Sequence, residues 1–444
     1  MLYLAYNRAI RDEAKSKFPR NVECKTSHQI AYAAFGRSYR HKLTANLRLM
    51  DIANVLNVRD WTLARNVQET LNAFMSSADK EVSEEHFNIE DSKRMMTERQ
   101  RQYGNVVTGA AKEVWDFMID TEHELPITHD GYLKLYQLSQ PDLSSQYDVI
   151  LFDEAQDANP VTSGFVLNQK TKLLLAGDSH QMIYGFRGAN DALNSPHFDA
   201  DKLFLTNSFR FGPNIALIAN MLLKLKGEPL KVTGLGGADS VLDKLPDDTG
   251  HYAIICRTVA GVVDAAINAA FEGKKVFWVG GMDSYSLLDL LDLFYLSERE
   301  YDQVRNKRML NDYKDFSAYQ DVADATKDFE MLRSVKLLSM YKNIPQLIGF
   351  LKSHEVASQD LADVTVTTAH RSKGLEFNAA MLADDFPDIF DKDMEPEQRA
   401  DEVNLLYVAS TRAMKLLIPN ASVLEVVRDA LIKNKLKGLK EKNK

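Results

Sequence analysis

Val149-Ile150-Leu151-Phe152-Asp153-Glu154-Ala155-Gln156-Asp157 joins a short apolar run to two adjacent carboxylates. Four apolar residues bounded by polar ones read as a buried strand, of the kind found in a parallel sheet with helices on both faces. A carboxylate at the C-terminal edge of such a strand is placed to hold a hydrated magnesium ion, and its neighbour is placed to take a proton from an attacking water. Asp153 fits the first role and Glu154 the second. The plainer reading is an acid-rich helix start, favoured by the positive end of the helix dipole; the apolar strand in front weighs toward the chemical one. What would complete such a nucleotide site is absent, since no G-x-x-x-x-G-K-[ST] loop occurs among the 444 residues. That loop is the element that grips phosphates.

A chain of this length with 45% hydrophobic residues has apolar surface for more than one core, and at roughly 150 residues per domain it divides into several units. The net charge of -9 excludes a protein that coats nucleic acid by bulk charge, because backbone binding needs clustered Lys and Arg; a local basic groove stays open. Cys24 and Cys256 are the only cysteines. Their separation excludes a disulfide framework and a zinc site, and a reducing cytoplasm, or the nucleoid within it, is the expected location. The apolar stretch Met1 to Tyr6 is too short for a signal-peptide core, and no run approaches a membrane span, so no membrane association is expected.

Outward from the acidic strand, Leu2-Tyr3-Leu4-Ala5-Tyr6 reads as a second buried strand, followed by Asn7 and an amphipathic helix over Arg8 to Phe18 that Pro19 closes. Asn21 to Lys25 reads as the next strand and Thr26 to Phe35 as the next helix. From about Arg40 to Tyr136 the pattern is helical and charged. Strands return at Val149 to Phe152, Lys172 to Ala176 and Lys202 to Leu205. A second α/β pattern runs through His251 to Cys256, Lys275 to Val279 and Val364 to Thr368, with a helical segment over Ser284 to Ser358. The expected organisation is α/β with parallel sheets. The first α/β domain takes residues 1–40 and 137–232 with a helical insertion at 41–136, and the second takes 233–283 and 359–427 with an insertion at 284–358. Residues 428–444 form a basic, solvated tail.

Other strand ends carry chemistry too. In Ala176-Gly177-Asp178-Ser179-His180-Gln181-Met182-Ile183-Tyr184-Gly185-Phe186-Arg187-Gly188-Ala189, the glycine permits a sharp turn, Gln181 could sense a terminal phosphate and Phe186 could stack on a base. An ordinary glycine-containing loop is the alternative. Leu205-Thr206-Asn207-Ser208-Phe209-Arg210-Phe211 offers a guanidinium between aromatic rings, and its planar fork suits charge on a transferring phosphoryl group. Thr367-Thr368-Ala369-His370-Arg371-Ser372-Lys373-Gly374-Leu375-Glu376-Phe377 packs His, Arg, Lys and Glu into a turn after a strand. Leu405-Leu406-Tyr407-Val408-Ala409-Ser410-Thr411-Arg412-Ala413 sets Arg412 within an otherwise apolar helix, where it needs a counter-charge that a phosphate could supply.

The ordered set D-E-A-Q-D, G-D-x-x-Q-x-I-Y-G-F-R-G-A, S-F-R-F, H-R-S-K-G-L-E-F and L-Y-V-A-x-T-R-A resembles the UvrD/Rep-type superfamily-one DNA helicases. Within that group, Asn21 to Tyr32, Thr128-His129-Asp130-Gly131-Tyr132-Leu133-Lys134 and Ser208 to Phe211 are most similar to the F-box DNA helicase branch, although no F-box is present. The likeness runs from Leu2 to about Leu417. It implies two RecA-like parallel-sheet domains of the P-loop NTPase type, with ATP and Mg2+ between them and single-stranded DNA across their top. It also implies ATP-dependent translocation in the 3′ to 5′ direction. Asp153 would be the metal ligand and Glu154 the general base, Gln181 the γ-phosphate sensor, and Arg210 and Arg412 the arginine fingers. Phe209 would stack on adenine, Glu376 would contact ribose or phosphates, and Gly374 would allow close approach. Tyr6, Thr26, His28, Tyr184, Phe186 and His370 occupy positions that contact DNA, Phe186 first among them. Arg257 and Thr258, after the strand His251 to Cys256, join that set.

The resemblance also implies a first strand and phosphate loop ahead of Leu2, which would leave this chain without its first β-α unit. Three explanations stand open: a longer natural product, a separate polypeptide that supplies the missing piece, and a degenerate helicase that keeps only DNA binding. Expected partners are therefore single-stranded DNA, duplex junctions and a polypeptide bearing the phosphate loop. The functional expectation is an ATP-dependent DNA helicase or single-strand translocase; the alternative is a catalytically inactive DNA-binding or regulatory subunit.

Overall fold

The computed structural model describes residues 1–87, 97–185, 188–195, 199–326 and 329–442. They cluster into two units, one of Met1–Ala200 with Asp321–Asp328 and the other of Asp201–Gln320 with Phe329–Lys444. Residues 201–232, which the sequence reading joins to the first α/β domain, cluster with the second unit.

The first unit opens with β1 (Leu2–Ala5), whose Leu2 and Leu4 are wholly buried. Burying such a side chain stabilises by about 1.5–3 kcal/mol. Asn7 starts α1 (Arg8–Lys17) by accepting the Ile10 N–H at 2.9 Å, and the extended Phe18 ends it, as a residue before proline favours. β2 (Glu23–Thr26) and α2 (Ser27–Ala34) follow, and a reciprocal cap joins Thr26 and Gln29 across the start of that helix. β3 (Leu43–Thr44), α3 (Leu49–Val55), α4 (Trp61–Ser76), α5 (Glu98–Ile119), β4 (Ile127–Thr128) and α6 (His129–Leu138) make up the expected helical stretch. β5 (Val149–Phe152), α7 (Pro160–Leu167) and β6 (Lys172–Leu175) then return to the sheet. Its order is β2-β1-β5-β6 with every neighbour parallel, while β3 and β4 pair separately.

Two cores support this unit. Leu2, Leu4, Ile150 and Phe152 pack with Leu133, Val161 and Phe165 around the sheet, and Val67, Leu71, Phe74, Val107 and Val114 pack among the inserted helices. Lys134 joins them. Its buried ammonium donates to the carbonyls of Ser77, at 2.8 Å, and Asp79, and lies 4.4 Å from the centre of the Phe74 ring. Burial lowers its pKa to about 8, against the opposing pull of Asp79.

The second unit contains β7 (Asn207–Ser208), α8 (Pro213–Leu225), β8 (Thr233–Gly234), β9 (Ser240–Val241), β10 (Tyr252–Cys256), α9 (Val259–Phe271), β11 (Val276–Trp278), β12 (Val364–Thr368), β13 (Phe377–Leu382) and β14 (Ala413–Ile418). Its main sheet has the order β11-β12-β10-β13-β14-β9, again all parallel. Ile254, Val364, Val366, Trp278, Val262 and Ala266 form its core. β13 and β14 escape the sequence reading because alanines dilute the apolar signal of the first and a lysine interrupts the second.

Two expectations are corrected. Lys202 to Leu205 joins no sheet; Leu203, Phe204 and Leu205 are 92%, 67% and 99% exposed. An apolar run becomes a strand only beside a partner that takes up its backbone groups. Arg412 lies not within a helix but just past Thr411, which caps the helix Pro396–Ser410, and immediately before β14. Among the described residues no helix is long and apolar enough to cross a membrane.

Candidate nucleotide site and nucleic-acid surface

In the first unit the acidic motif begins where β5 stops. Asp153 extends the pairing with β1, its N–H donating to the Leu4 carbonyl at 3.1 Å. Both of its carboxylate oxygens are engaged: Oδ1 accepts the Glu154 N–H at 3.0 Å and Oδ2 accepts the Tyr3 hydroxyl. Glu154 sits at φ 53, ψ 41, a left-handed conformation uncommon outside glycine. Its Oε2 accepts the Gln156 side-chain N–H at 2.6 Å. Gln156 is fully buried, and its Oε1 accepts the Asp178 N–H at 3.1 Å. One amide therefore ties the acidic turn to the loop after β6. Gly177 makes this tie possible, because a Cβ there would fall 2.1 Å from Gln156 Oε1. In the same loop Asp178 accepts the His180 N–H at 2.9 Å and the Gln181 side chain at 3.0 Å.

Sequence reasoning gave no role to Tyr3 or Gln156. Gln156 stands inside the quoted motif and so carried a signal. Tyr3 carried only its place on a strand.

Tyr6 and Tyr184 stack at 5.4 Å between centroids with planes 22° apart, which brings two of the candidate DNA contacts together. Thr26 is buried as the cap of α2. His28 lies 3.1 Å from Asp130 and meets Tyr132 edge-on at 6.2 Å; burial raises the Tyr132 pKa to about 12. Phe186 lies outside the described residues.

In the second unit another cluster forms from segments distant in sequence. Arg210 donates from Nε to Glu376 Oε1 at 2.7 Å, and its Nη1 lies 3.5 Å from the Thr411 carbonyl. Arg412 is buried, with Nε on the Val408 carbonyl at 2.9 Å, Nη2 on Thr411 Oγ1 at 3.2 Å and Nη1 on the Leu375 carbonyl at 3.4 Å. Gly374, at φ +84, makes the turn that leads to Glu376. Phe209, beside Arg210, is 79% exposed. His370 lies in the short helix Ala369–Ser372 after β12, which Thr368 caps. Arg257 makes a bidentate pair with Glu402, Nε and Nη2 reaching Oε1 at 3.0 and 2.8 Å and Nε reaching Oε2 at 3.0 Å. Thr258 donates to Asp385 at 2.8 Å and accepts the Gly261 N–H at 2.9 Å, capping α9. Both have a complete structural account within this unit.

The described residues contain no group of three His, Cys, Asp or Glu that could hold a metal unaided. Magnesium does not need one. It is bound through one or two carboxylates together with water and phosphate oxygens, a donor set that Asp153 fits. A cleft of about 720 Å³ lies elsewhere, lined by Arg11, Lys15, Arg20, Cys24, Lys25 and Tyr147 among others, and none of the site residues above borders it.

Two family models match the sequence, the UvrD/REP helicase N-terminal domain over residues 7–195 and the UvrD-like helicase C-terminal domain over residues 284–422. The chain belongs to the UvrD/Rep helicase family. The parallel sheets of its two units are those of RecA-like domains. Among UvrD/Rep relatives, F-box DNA helicase 1 of Gallus gallus is 33% identical over 463 aligned residues, which cover 95% of this chain and 45% of that protein. F-box DNA helicase protein 1 of Schizosaccharomyces pombe is 30% identical, with 96% of this chain and 53% of the relative covered. The chain thus spans about half the length of these relatives. The ATP-dependent DNA helicase PcrA of Staphylococcus epidermidis is 24% identical over 408 residues, 63% of this chain and 55% of that protein.

Proposed function

We propose that this chain is the motor of an ATP-dependent DNA helicase that moves along single-stranded DNA and acts at duplex junctions, in the 3′ to 5′ direction. One observation carries the reading. Glu154 is held in a left-handed backbone conformation, with its carboxylate fixed by the buried Gln156. Strained backbone positions cluster at functional sites, and a carboxylate held at a strand end is placed to take a proton from water.

ATP with its Mg2+ supplies the bond to be cleaved and the charge to be neutralised. The chain's residues bind, orient and move a proton. Asp153 holds the metal, Glu154 takes the proton of the attacking water and Gln181 contacts the terminal phosphate. Arg210 and Arg412 offset charge on the transferring group, which can be worth about 10³-fold or more in rate. Phe209 stacks on the base, Glu376 contacts ribose or phosphates, and Gly374 lets the backbone come close. Tyr6, Thr26, His28, Tyr184 and Phe186 are DNA contacts of the first unit and His370 is one of the second, with stacking worth about 1–3 kcal/mol per base and indifferent to sequence. Arg257 and Thr258 join His370 with less freedom, because Glu402 and Asp385 hold them.

The phosphates need a grip that the sequence does not contain. We assign it to a strand and glycine-rich loop added at the margin of β6, where Leu174 is 57% exposed and the sheet ends. A separate polypeptide, or a longer form of this protein, would carry it. The same lack of a loop favours a second reading, a DNA-binding or regulatory subunit without turnover.

ATP hydrolysis measured with the phosphate loop restored separates the two. Turnover stimulated by single-stranded DNA and abolished in Glu154→Gln supports the motor. DNA binding without turnover in that restored protein leaves the regulatory subunit.

A further inference from the structure

β1 and β5 are parallel neighbours with Tyr3 opposite Leu151, and side chains two apart on a strand share a face. Tyr3, Leu151 and Asp153 therefore face the same side of the sheet, while Leu2 and Leu4 are buried on the other. From Tyr3 to the level of Asp153 is about 6.6 Å along the strand, at roughly 3.3 Å per residue. A phenol spans that distance and ends in a donor; serine or threonine would fall short. The Tyr3 ring also rests on Phe18, just past the end of α1, with centroids 5.0 Å apart and planes at 45°. The hydroxyl is thus braced on one side and delivered to Asp153 Oδ2 on the other.

We propose that Tyr3 is the positioning residue for Asp153, fixing its carboxylate so that the remaining lone pairs meet a divalent cation. The proposal rests on the reading of Asp153 as the metal carboxylate. A phenol carries a single O–H donor, and here that donor is spent on the Asp153 carboxylate. Groups that orient a metal ligand from behind commonly change metal affinity by about 10- to 100-fold when removed. A single partly exposed hydroxyl belongs at the lower end of that range.

The test is Mn2+ binding to the full chain with its phosphate loop restored, in the presence of ADP, followed by the loss of the free-ion electron paramagnetic resonance signal. Wild type is compared with Tyr3→Phe, Asp153→Asn and the double variant, and thermal unfolding verifies that each is folded. Tyr3→Phe, which keeps the ring on Phe18, should weaken Mn2+ binding about tenfold. Asp153→Asn should weaken it at least as much, and the double variant no further than Asp153→Asn, because Tyr3 acts through Asp153. Unchanged affinity in Tyr3→Phe alongside a loss in Asp153→Asn would overturn the positioning role and leave Asp153 as the metal carboxylate. Losses that add in the double variant would overturn it too, since Tyr3 would then act independently. If wild type binds no Mn2+, or Asp153→Asn binds as wild type does, the metal reading fails and the proposal with it.

Discussion

Arg210 and Glu376 neutralise one another, Nε to Oε1 at 2.7 Å, although 166 positions separate them in the chain. Both are candidates for contact with a nucleotide, and here each serves as the other's counter-ion. The pair is partly exposed on both sides. Such pairs contribute about 0–1 kcal/mol, so exchanging the carboxylate for a phosphate costs little.

Replacing Arg210 with Ala should therefore leave the thermal midpoint nearly unchanged. In the motor with its phosphate loop restored, the same change should lower kcat by about 10³-fold, the scale of an arginine that offsets phosphoryl charge. Steady-state hydrolysis and a melting curve on the same preparation check both halves; a large loss of stability would make the pair structural.

Gln156 supports Glu154 from a fully buried position, and Gly177 leaves room for it. Gly177→Ala should destabilise by about 1–3 kcal/mol, the usual cost of overpacking, and should impair hydrolysis through Glu154. Chemical denaturation measures the first effect. Gln156→Glu sets a second acid beside Glu154 and should impair hydrolysis while keeping the side-chain volume.

Phe209 is exposed and bears little of the fold. Phe209→Ala should weaken nucleotide binding with no change in stability, as read by fluorescence titration with a labelled nucleotide. The Tyr6 and Tyr184 rings, already stacked on each other, should each cost about 1–3 kcal/mol of single-stranded DNA affinity on change to Ala, with little dependence on base sequence.

Lys134 gives a pH dependence with a defined sign. Its folded pKa of about 8 lies below the ordinary 10.5. Between those values the unfolded chain holds a proton that the folded chain has released, so this residue's contribution to stability rises with pH. The stability of wild type relative to Lys134→Met should increase from pH 8 to pH 10 in denaturant titrations and stay flat below pH 7. At neutral pH the variant should lose about 1–3 kcal/mol, because the carbonyls of Ser77 and Asp79 lose their buried donor.

The purified 444-residue chain should bind ATP weakly and turn it over very slowly, since no glycine-rich loop grips the phosphates. Rapid turnover measured on that chain would refute the account of the phosphate grip.

Much of the fold was legible because its signals are local. Val149 to Phe152 is a strand at the expected residues, and Leu2–Ala5, Tyr252–Cys256 and Val364–Thr368 lie within or at the expected ones. Each is a short run of apolar and β-branched residues, and each is followed within two residues by a candidate site residue. Lys202 to Leu205 is as apolar as some of them and is no strand. Composition reports a preference for extended backbone, whereas strand formation needs a neighbour's donors and acceptors.

Which residues stand at the ends of the strands, Asp153 and Glu154 after β5 and His370 after β12, follows from the chain alone, because burial and periodicity are written in consecutive residues. What holds them is set by folding. The Tyr3 hydroxyl reaches Asp153 across 150 positions and Glu376 reaches Arg210 across 166. The register of β1 against β5, and the packing of the turns around Gly374 and Arg412, choose those partners. Hydrogen bonds are directional and short, so no pattern along the chain can specify a donor that folding brings from so far away.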